Sequence, residues 1–227
     1  MIRNKEVIDN QEVLIIDDFF DSDVCRNWVE YYIRKAEFKL AAFESADESC
    51  EGSQFFFTHG LSKSTLEDVF NMSQTVLPFV DEWNKNYGTD FQYTDVLRTH
   101  INLTQQSDTF SGHVDHHERD ILIFLWFANP YLKDLGGGIE LGEKDRRLIE
   151  PKFNRCVIFP GKLWHRIQDL TDPNSIRLSL YIGFDKVESK TKELSFAHDR
   201  IVNVFDKNAD EILEQSKQVH KDFGIGN

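Results

Sequence analysis

The period of the apolar positions changes along the chain. Near the N-terminus, Val13–Ile16 reads as a short strand, followed by Asp17-Asp18-Phe19-Phe20. Asp21 or Ser22 can then cap a helix in which Val24, Trp28, Tyr31 and Tyr32 recur at helical spacing. A second helical stretch starts at Ser64-x-x-Glu67, a capping-box pattern, and places Leu66, Val69, Phe70, Val76, Leu77, Val80 and Trp83 on one face. Pro78 interrupts that stretch. It has no backbone donor and clashes with the preceding turn, so a kink or a break into two helices is expected.

From about Thr94 the helical period gives way to short strand-like runs with turn signals between them. They are Asp95–Leu103, His113–His116, Ile121–Asn129, Ile139–Gly142, Leu148–Pro151, Cys156–Pro160, Trp164–Leu170 and Ser175–Phe184. This succession predicts a sandwich or barrel rather than alternating strand–helix units. Gly136-Gly137-Gly138 marks a turn or a close approach of backbone. Beyond residue 185 the composition becomes helix-like again. The expected fold class is mainly β (α+β), with helices supporting the strands from the N-terminal side and a helical tail at the C-terminus. No repeat, low-complexity tract or Pro/Gly/Ser-rich linker divides the chain. A single domain over residues 1–227 is expected, with a helical support region carrying the first strand (1–95), a strand-rich core (96–185) and a C-terminal helical extension (186–227).

Composition narrows the function. The 227 residues include 40 % hydrophobic and 13 % aromatic side chains, enough for a sizeable core and too many for a disordered chain. With 26 Lys+Arg against 39 Asp+Glu the net charge is −13, which argues against a general nucleic-acid partner. The acidity is local. Residues 1–95 carry 8 basic and 19 acidic side chains, residues 96–185 carry 11 and 12, and residues 186–227 carry 7 and 8. The strand-rich core is therefore nearly neutral, and the global charge does not exclude an anionic ligand within it. The acidic N-terminal part leaves a cationic peptide approaching that face as a possibility. Three cysteines without a CxxC pair fit a reducing compartment better than a disulfide framework. The N-terminus lacks a leader-like apolar region. The longest apolar run, Ile121–Ala128, is far below the roughly 20 residues that span a bilayer. A cytoplasmic protein without a membrane partner is expected.

Candidate chemistry sits in the strand-rich part. On a strand, residues two apart share a face, so His113-Val114-Asp115 presents an imidazole beside a carboxylate. His165 follows in Phe159-Pro160-Gly161-Lys162-Leu163-Trp164-His165. Two histidines and one carboxylate that leave other positions open form the facial triad of non-haem Fe(II) oxygenases. His-x-Asp alone is a weak signal, and His116 and His117 leave the choice of histidine open on spacing. Arg177-Leu178-Ser179 strengthens it. Arg177 and Ser179 face one way on the last strand, and a guanidinium inside a barrel calls for an anionic partner.

Taken in order, His113-Val114-Asp115, Gly137-Gly138-Ile139-Glu140-Leu141, Ile149–Arg155, Val157-Ile158-Phe159-Pro160, His165 and Arg177-Leu178-Ser179 resemble the Fe(II)- and 2-oxoglutarate-dependent oxygenases, in the prolyl-4-hydroxylase-like branch. The resemblance spans roughly residues 96–184 and is vaguer before them. It implies a double-stranded β-helix (jelly-roll) fold. It implies His113, Asp115 and His165 as iron ligands, and Arg177 as partner of the distal carboxylate of 2-oxoglutarate, assisted by Ser179. Relatives often place a Lys where Arg177 stands. They often add a Tyr from an earlier strand, where Ile121–Asn129 offers only Trp126 and Phe127. On the preceding strand Arg98, His100 and Asn102 share a face, and His100 or Asn102 is a candidate replacement for the phenol. The implied cofactors are Fe(II) and 2-oxoglutarate, with ascorbate as a candidate reductant and dioxygen as the oxidant. The implied reaction is hydroxylation of an organic substrate, foremost a prolyl or other side chain of a protein or peptide, with succinate and carbon dioxide as co-products. The same scaffold serves amino acids, sugars and nucleobases. A cupin-like metal- or ligand-binding jelly roll shares the strand pattern but has no need of Arg177. The segment Leu40–Phe57, rich in Ser and Glu and ending in aromatics, reads as a lid, a substrate loop or a surface excursion.

Overall fold

The structure is a computed structural model that describes residues 2–43, 54–106, 112–115, 120–128 and 135–186. By contacts the chain divides into residues 1–187 and 188–227. The second unit, with the expected helical tail, lies outside the described residues, as do His116 and His117.

The chain opens with an antiparallel hairpin, β1 (Ile2–Ile8) and β2 (Gln11–Asp17), closed by Asp9 and Asn10 in left-handed backbone conformations. Helix α1 (Ser22–Lys35) follows, with the side chain of Asp21 accepting from the backbone N–H groups of Asp23 and Val24. Val24, Cys25 and Trp28 form its buried face. The expected capping box at Ser64 is displaced. Ser62 caps α2 (Lys63–Phe70) through Thr65 N–H, and Glu67 accepts from Ser73 instead. The helical stretch is divided twice. Asn71 ends α2 in a left-handed conformation (φ 48°), α3 (Met72–Thr75) makes a short link, and Pro78 sits in the first turn of α4 (Leu77–Tyr87), where its missing N–H costs nothing. Among residues 40–57, both ends are paired strands, β3 (Lys39–Phe43) and β4 (Gln54–Gly60), a hairpin that the loop readings did not anticipate. Residues 44–53 lie outside the described residues.

The remaining strands follow the apolar runs: β5 (Val96–Thr104), β6 (Ile121–Phe127), β7 (Ile139–Leu141), β8 (Arg147–Ile149), β9 (Arg155–Pro160), β10 (His165–Ile167) and β11 (Arg177–Asp185). They assemble into an eight-stranded sheet, ordered β1-β2-β9-β6-β11-β5-β4-β3, and a three-stranded sheet, β10-β7-β8, all pairings being antiparallel. The fold is mainly β, a jelly roll with helices on one side of the large sheet.

The large sheet separates two cores, which explains why β6 is an unbroken apolar run. Leu122, Phe124 and Trp126 pack with Phe19, Phe20, Trp28 and Phe70 on the helix side. Ile121, Ile123, Leu125 and Phe127 pack with Val157, Phe159, Ile139 and Leu141 between the sheets. Asn154 ties the layers together. Its Oδ1 accepts from Phe20 N–H and Trp126 Nε1–H (both 3.0 Å), and its Nδ2 donates to Phe20 C=O (2.8 Å). Lys152 and Arg155 both pair with Asp17 at the end of β2. No helix among the described residues is long and apolar enough to cross a membrane.

Candidate metal centre

β5 and β11 turn alternate side chains into the space between the sheets. Their register sets four rungs: Arg177 opposite Thr104, Ser179 opposite Asn102, Tyr181 opposite His100 and Gly183 opposite Arg98. The intervening Leu178, Leu180, Ile182 and Ile101 belong to the helix-side core.

His113, Asp115 and His165 come together, each offering one donor atom, and these atoms all lie within 4.8 Å of one another. His113 does not lie in a regular strand. It forms an isolated bridge to His165, each backbone N–H donating to the other's carbonyl (3.0 and 2.9 Å). Asp115 is held by its own N–H to Gly161 C=O (2.8 Å). Asp115 Oδ1 stands 3.5 Å from His113 Nε2 and 4.0 Å from His165 Nε2. His165 Nδ1–H donates to Leu163 C=O (2.9 Å), so its Nε2 lone pair is free for the cluster. Phe159 packs edge-on against the His165 ring, and Trp164 fills the space over Gly112, where a Cβ would come 1.8 Å from the indole.

Electrostatics suit a cation. Burial pushes the His165 imidazole down to about 4, aided by His113, which keeps it neutral and able to ligate. Burial alone would raise Asp115. The hydrogen bond with His113, the positive charge of Arg98 and the Tyr181 O–H outweigh it and hold the carboxyl well below the usual range. The cluster therefore offers a neutral imidazole at His165 and an ionised carboxylate at Asp115 beside the His113 ring, a donor set that fits a divalent first-row metal with open positions.

Two rungs along β11, Arg177 is 1 % exposed, and its Nε and Nη2 have no hydrogen-bond partner. Its guanidinium lies over the Phe127 ring, 5.1 Å from the centroid. Burial lowers its pKa to about 9, the mark of a cation without a counter-charge. Gly137, in a left-handed conformation (φ 75°), lets the main chain pass close: a Cβ there would lie 3.2 Å from Arg177 Cδ and 2.8 Å from Leu170 Cδ2. Ser179 Oγ, Asn102 Oδ1 and Thr104 Oγ1 are likewise buried without partners. A buried guanidinium without a counter-charge, with unsatisfied polar atoms on its own and the next rung, fits a carboxylate ligand.

Among the sequence-derived candidates, His113, Asp115 and His165 meet, while Arg177, Ser179 and Asn102 line the neighbouring rungs. His100 stands opposite Tyr181 on β11 and stacks on it (centroids 4.9 Å, 8°). Sequence reasoning missed Thr104 and Tyr181, whose O–H donates to Asp115 Oδ2 (2.7 Å). The alternation Arg177-x-Ser179-x-Tyr181 was the available signal.

No protein-family model and no curated protein sequence matches the chain. Solved structures do. A Pseudomonas putida prolyl-4-hydroxylase is similar over 78 % of this chain and 93 % of its own, at 18 % identity and TM-score 0.54. A Trichoplax adhaerens prolyl hydroxylase, in complex with a hypoxia inducible factor peptide fragment, is similar over 76 % and 83 %, at 16 % identity and TM-score 0.55. HygX from Streptomyces hygroscopicus, with nickel, 2-oxoglutarate and hygromycin B bound, is similar over 77 % and 83 %, at 9 % identity and TM-score 0.54. The chain thus has the jelly-roll fold shared by prolyl-4-hydroxylases and other 2-oxoglutarate–Fe(II) oxygenases.

Proposed function

We propose that the protein is a non-haem Fe(II)- and 2-oxoglutarate-dependent dioxygenase that hydroxylates a side chain of a protein or peptide, a prolyl ring foremost. The observation that carries the reading is Arg177, a fully buried guanidinium with unbonded Nε and Nη2 in the same compartment as a His-Asp-His cluster. A cupin-like ligand-binding barrel would have no use for that charge.

In this reading His113 Nε2, Asp115 Oδ1 and His165 Nε2 hold the metal. Fe(II) with 2-oxoglutarate, when bound, supplies oxidative decarboxylation coupled to insertion of one atom of dioxygen into a C–H bond, releasing succinate and carbon dioxide. Arg177 pairs with the distal carboxylate of the co-substrate, and Ser179, Asn102 and Thr104 offer it polar contacts. Leu163 C=O keeps the His165 proton on Nδ1, so Nε2 stays a ligand. Phe127, Phe159 and Leu163 exclude water from the compartment. The buried free thiols of Cys25 and Cys156 fit a reducing compartment.

The prolyl-hydroxylase likenesses favour the peptide substrate. Incubation with Fe(II), 2-oxoglutarate, ascorbate and air should add one oxygen atom to members of a proline-containing peptide library, read by mass spectrometry. Oxygen added only to amino acids, sugars or nucleobases would overturn the peptide assignment, and no oxidised product with the full panel would overturn the hydroxylase.

A further inference from the structure

The two oxygens of Asp115 are used differently. Oδ1 faces His113 Nε2 and His165 Nε2, whereas Oδ2 accepts the phenolic O–H of Tyr181 at 2.7 Å. Tyr181 is itself fixed from two sides. Its ring lies parallel to His100, and Gly183 packs beneath it, since a Cβ there would come 2.9 Å from Tyr181 Cε1 and 3.1 Å from its hydroxyl oxygen. Arg98 Nη1 stands 3.9 Å from Oδ1, and the Arg98 side chain also hydrogen-bonds Tyr181.

We propose that Tyr181 is a positioning residue that keeps Asp115 a one-oxygen ligand. The inference rests on the triad's being a metal site. A carboxylate can bind a cation through one oxygen or both. With two imidazoles and one oxygen, a six-coordinate metal retains three open positions, two for a chelating 2-oxo acid and one for dioxygen. A two-oxygen Asp115 would take one of them. Capping Oδ2 with a part-buried, charge-assisted hydrogen bond opposes that swing, because the carboxylate must surrender the bond to make it. One strand thus carries both the arginine for the anion and, four residues on, the group that preserves the co-substrate's place on the metal.

The test compares metal-free wild-type protein, Tyr181→Phe and His113→Ala, each titrated with Co(II) and then with 2-oxoglutarate under visible spectroscopy, with circular dichroism as the check on folding. Wild type should bind one Co(II) per chain and His113→Ala should not. Tyr181→Phe should bind Co(II) with a changed visible spectrum before 2-oxoglutarate is added, and its loaded form should bind 2-oxoglutarate about tenfold or more weakly. A lower melting temperature with the Co(II) spectrum and 2-oxoglutarate affinity of wild type would reduce Tyr181 to packing and overturn the inference. Wild type and His113→Ala binding Co(II) alike would instead overturn the metal-site reading beneath it.

Discussion

Replacing Arg177 with methionine separates the cost of a buried charge from its use. The guanidinium is 1 % exposed, two of its nitrogens are unbonded, and it lies over the face of Phe127. With no anion present it is a desolvated charge, and exchanging such charges for hydrophobic side chains of similar volume is neutral or stabilising by about 1–4 kcal/mol. Arg177→Met should therefore hold or raise the melting temperature of the co-substrate-free protein, by about 2–4 °C for each kcal/mol gained. With 2-oxoglutarate the sign reverses. Truncating one partner of a desolvated, hydrogen-bonded charge pair costs about 2–5 kcal/mol. At about 1.4 kcal/mol per decade, this weakens 2-oxoglutarate binding by about 30-fold to a few thousand-fold. Calorimetric titration of metal-loaded wild type and variant, with thermal melts of both, reads the two effects together. Unchanged 2-oxoglutarate affinity would refute the assignment of Arg177. A large loss of stability without ligand would refute the claim that its charge is uncompensated.

Other expectations follow from local geometry. Asn154→Ala removes three buried hydrogen bonds to Phe20 and Trp126, at about 1 kcal/mol each, so the melting temperature should fall by about 6–12 °C; a drop under about 2 °C would contradict its tying role. Gly112→Ala sets a Cβ against the Trp164 ring one residue before His113, so metal affinity should fall, as titration with Co(II) would show; wild-type affinity would mean that the loop yields freely. The metal-free protein should also be acid-sensitive through His165, whose folded pKa is about 4 against an ordinary 6.5. Between those values the unfolded chain binds the proton and the folded one does not, so stability is complete above about pH 6.5 and is lost, by on the order of 3 kcal/mol, as pH falls towards 4. Denaturant midpoints measured at pH 7 and 4.5 for wild type and His165→Phe check it: a wild-type midpoint that is insensitive to pH, or a variant as sensitive as wild type, would contradict it.

The apolar period made the central strands legible because β6 and β9 face a core on both sides, so no polar residue interrupts them. His113-x-Asp115 and Arg177-x-Ser179 were legible as candidates because their spacing is short, whereas His165, 50 positions after Asp115, was a candidate through the ordered resemblance. Elements whose stability comes from pairing rather than burial were not. β1 exposes Arg3, Lys5 and Val7 and is held by β2, by the ion pair of Lys5 with Glu12 and by that of Arg3 with Glu82, a partner 79 positions away that no local window contains. The cap of α2 was misassigned because Ser62, Ser64 and Thr65 are adjacent hydroxyls, and only backbone geometry selects Ser62. The break at Asn71 needed the left-handed conformation that asparagine tolerates, which competes with the more conspicuous Pro78. Tyr181 escaped notice because its role depends on Asp115, 66 positions away.

The central claim is tested most directly by turnover of the co-substrate without any primary substrate. Purified, metal-stripped protein supplied with Fe(II), 2-oxoglutarate and dioxygen should release succinate slowly and only when Fe(II) is present, and His113→Ala and His165→Ala should release none above the protein-free control. Folded wild type that forms no succinate and binds no 2-oxoglutarate in the presence of Fe(II), or triad variants that turn over as wild type does, would contradict it.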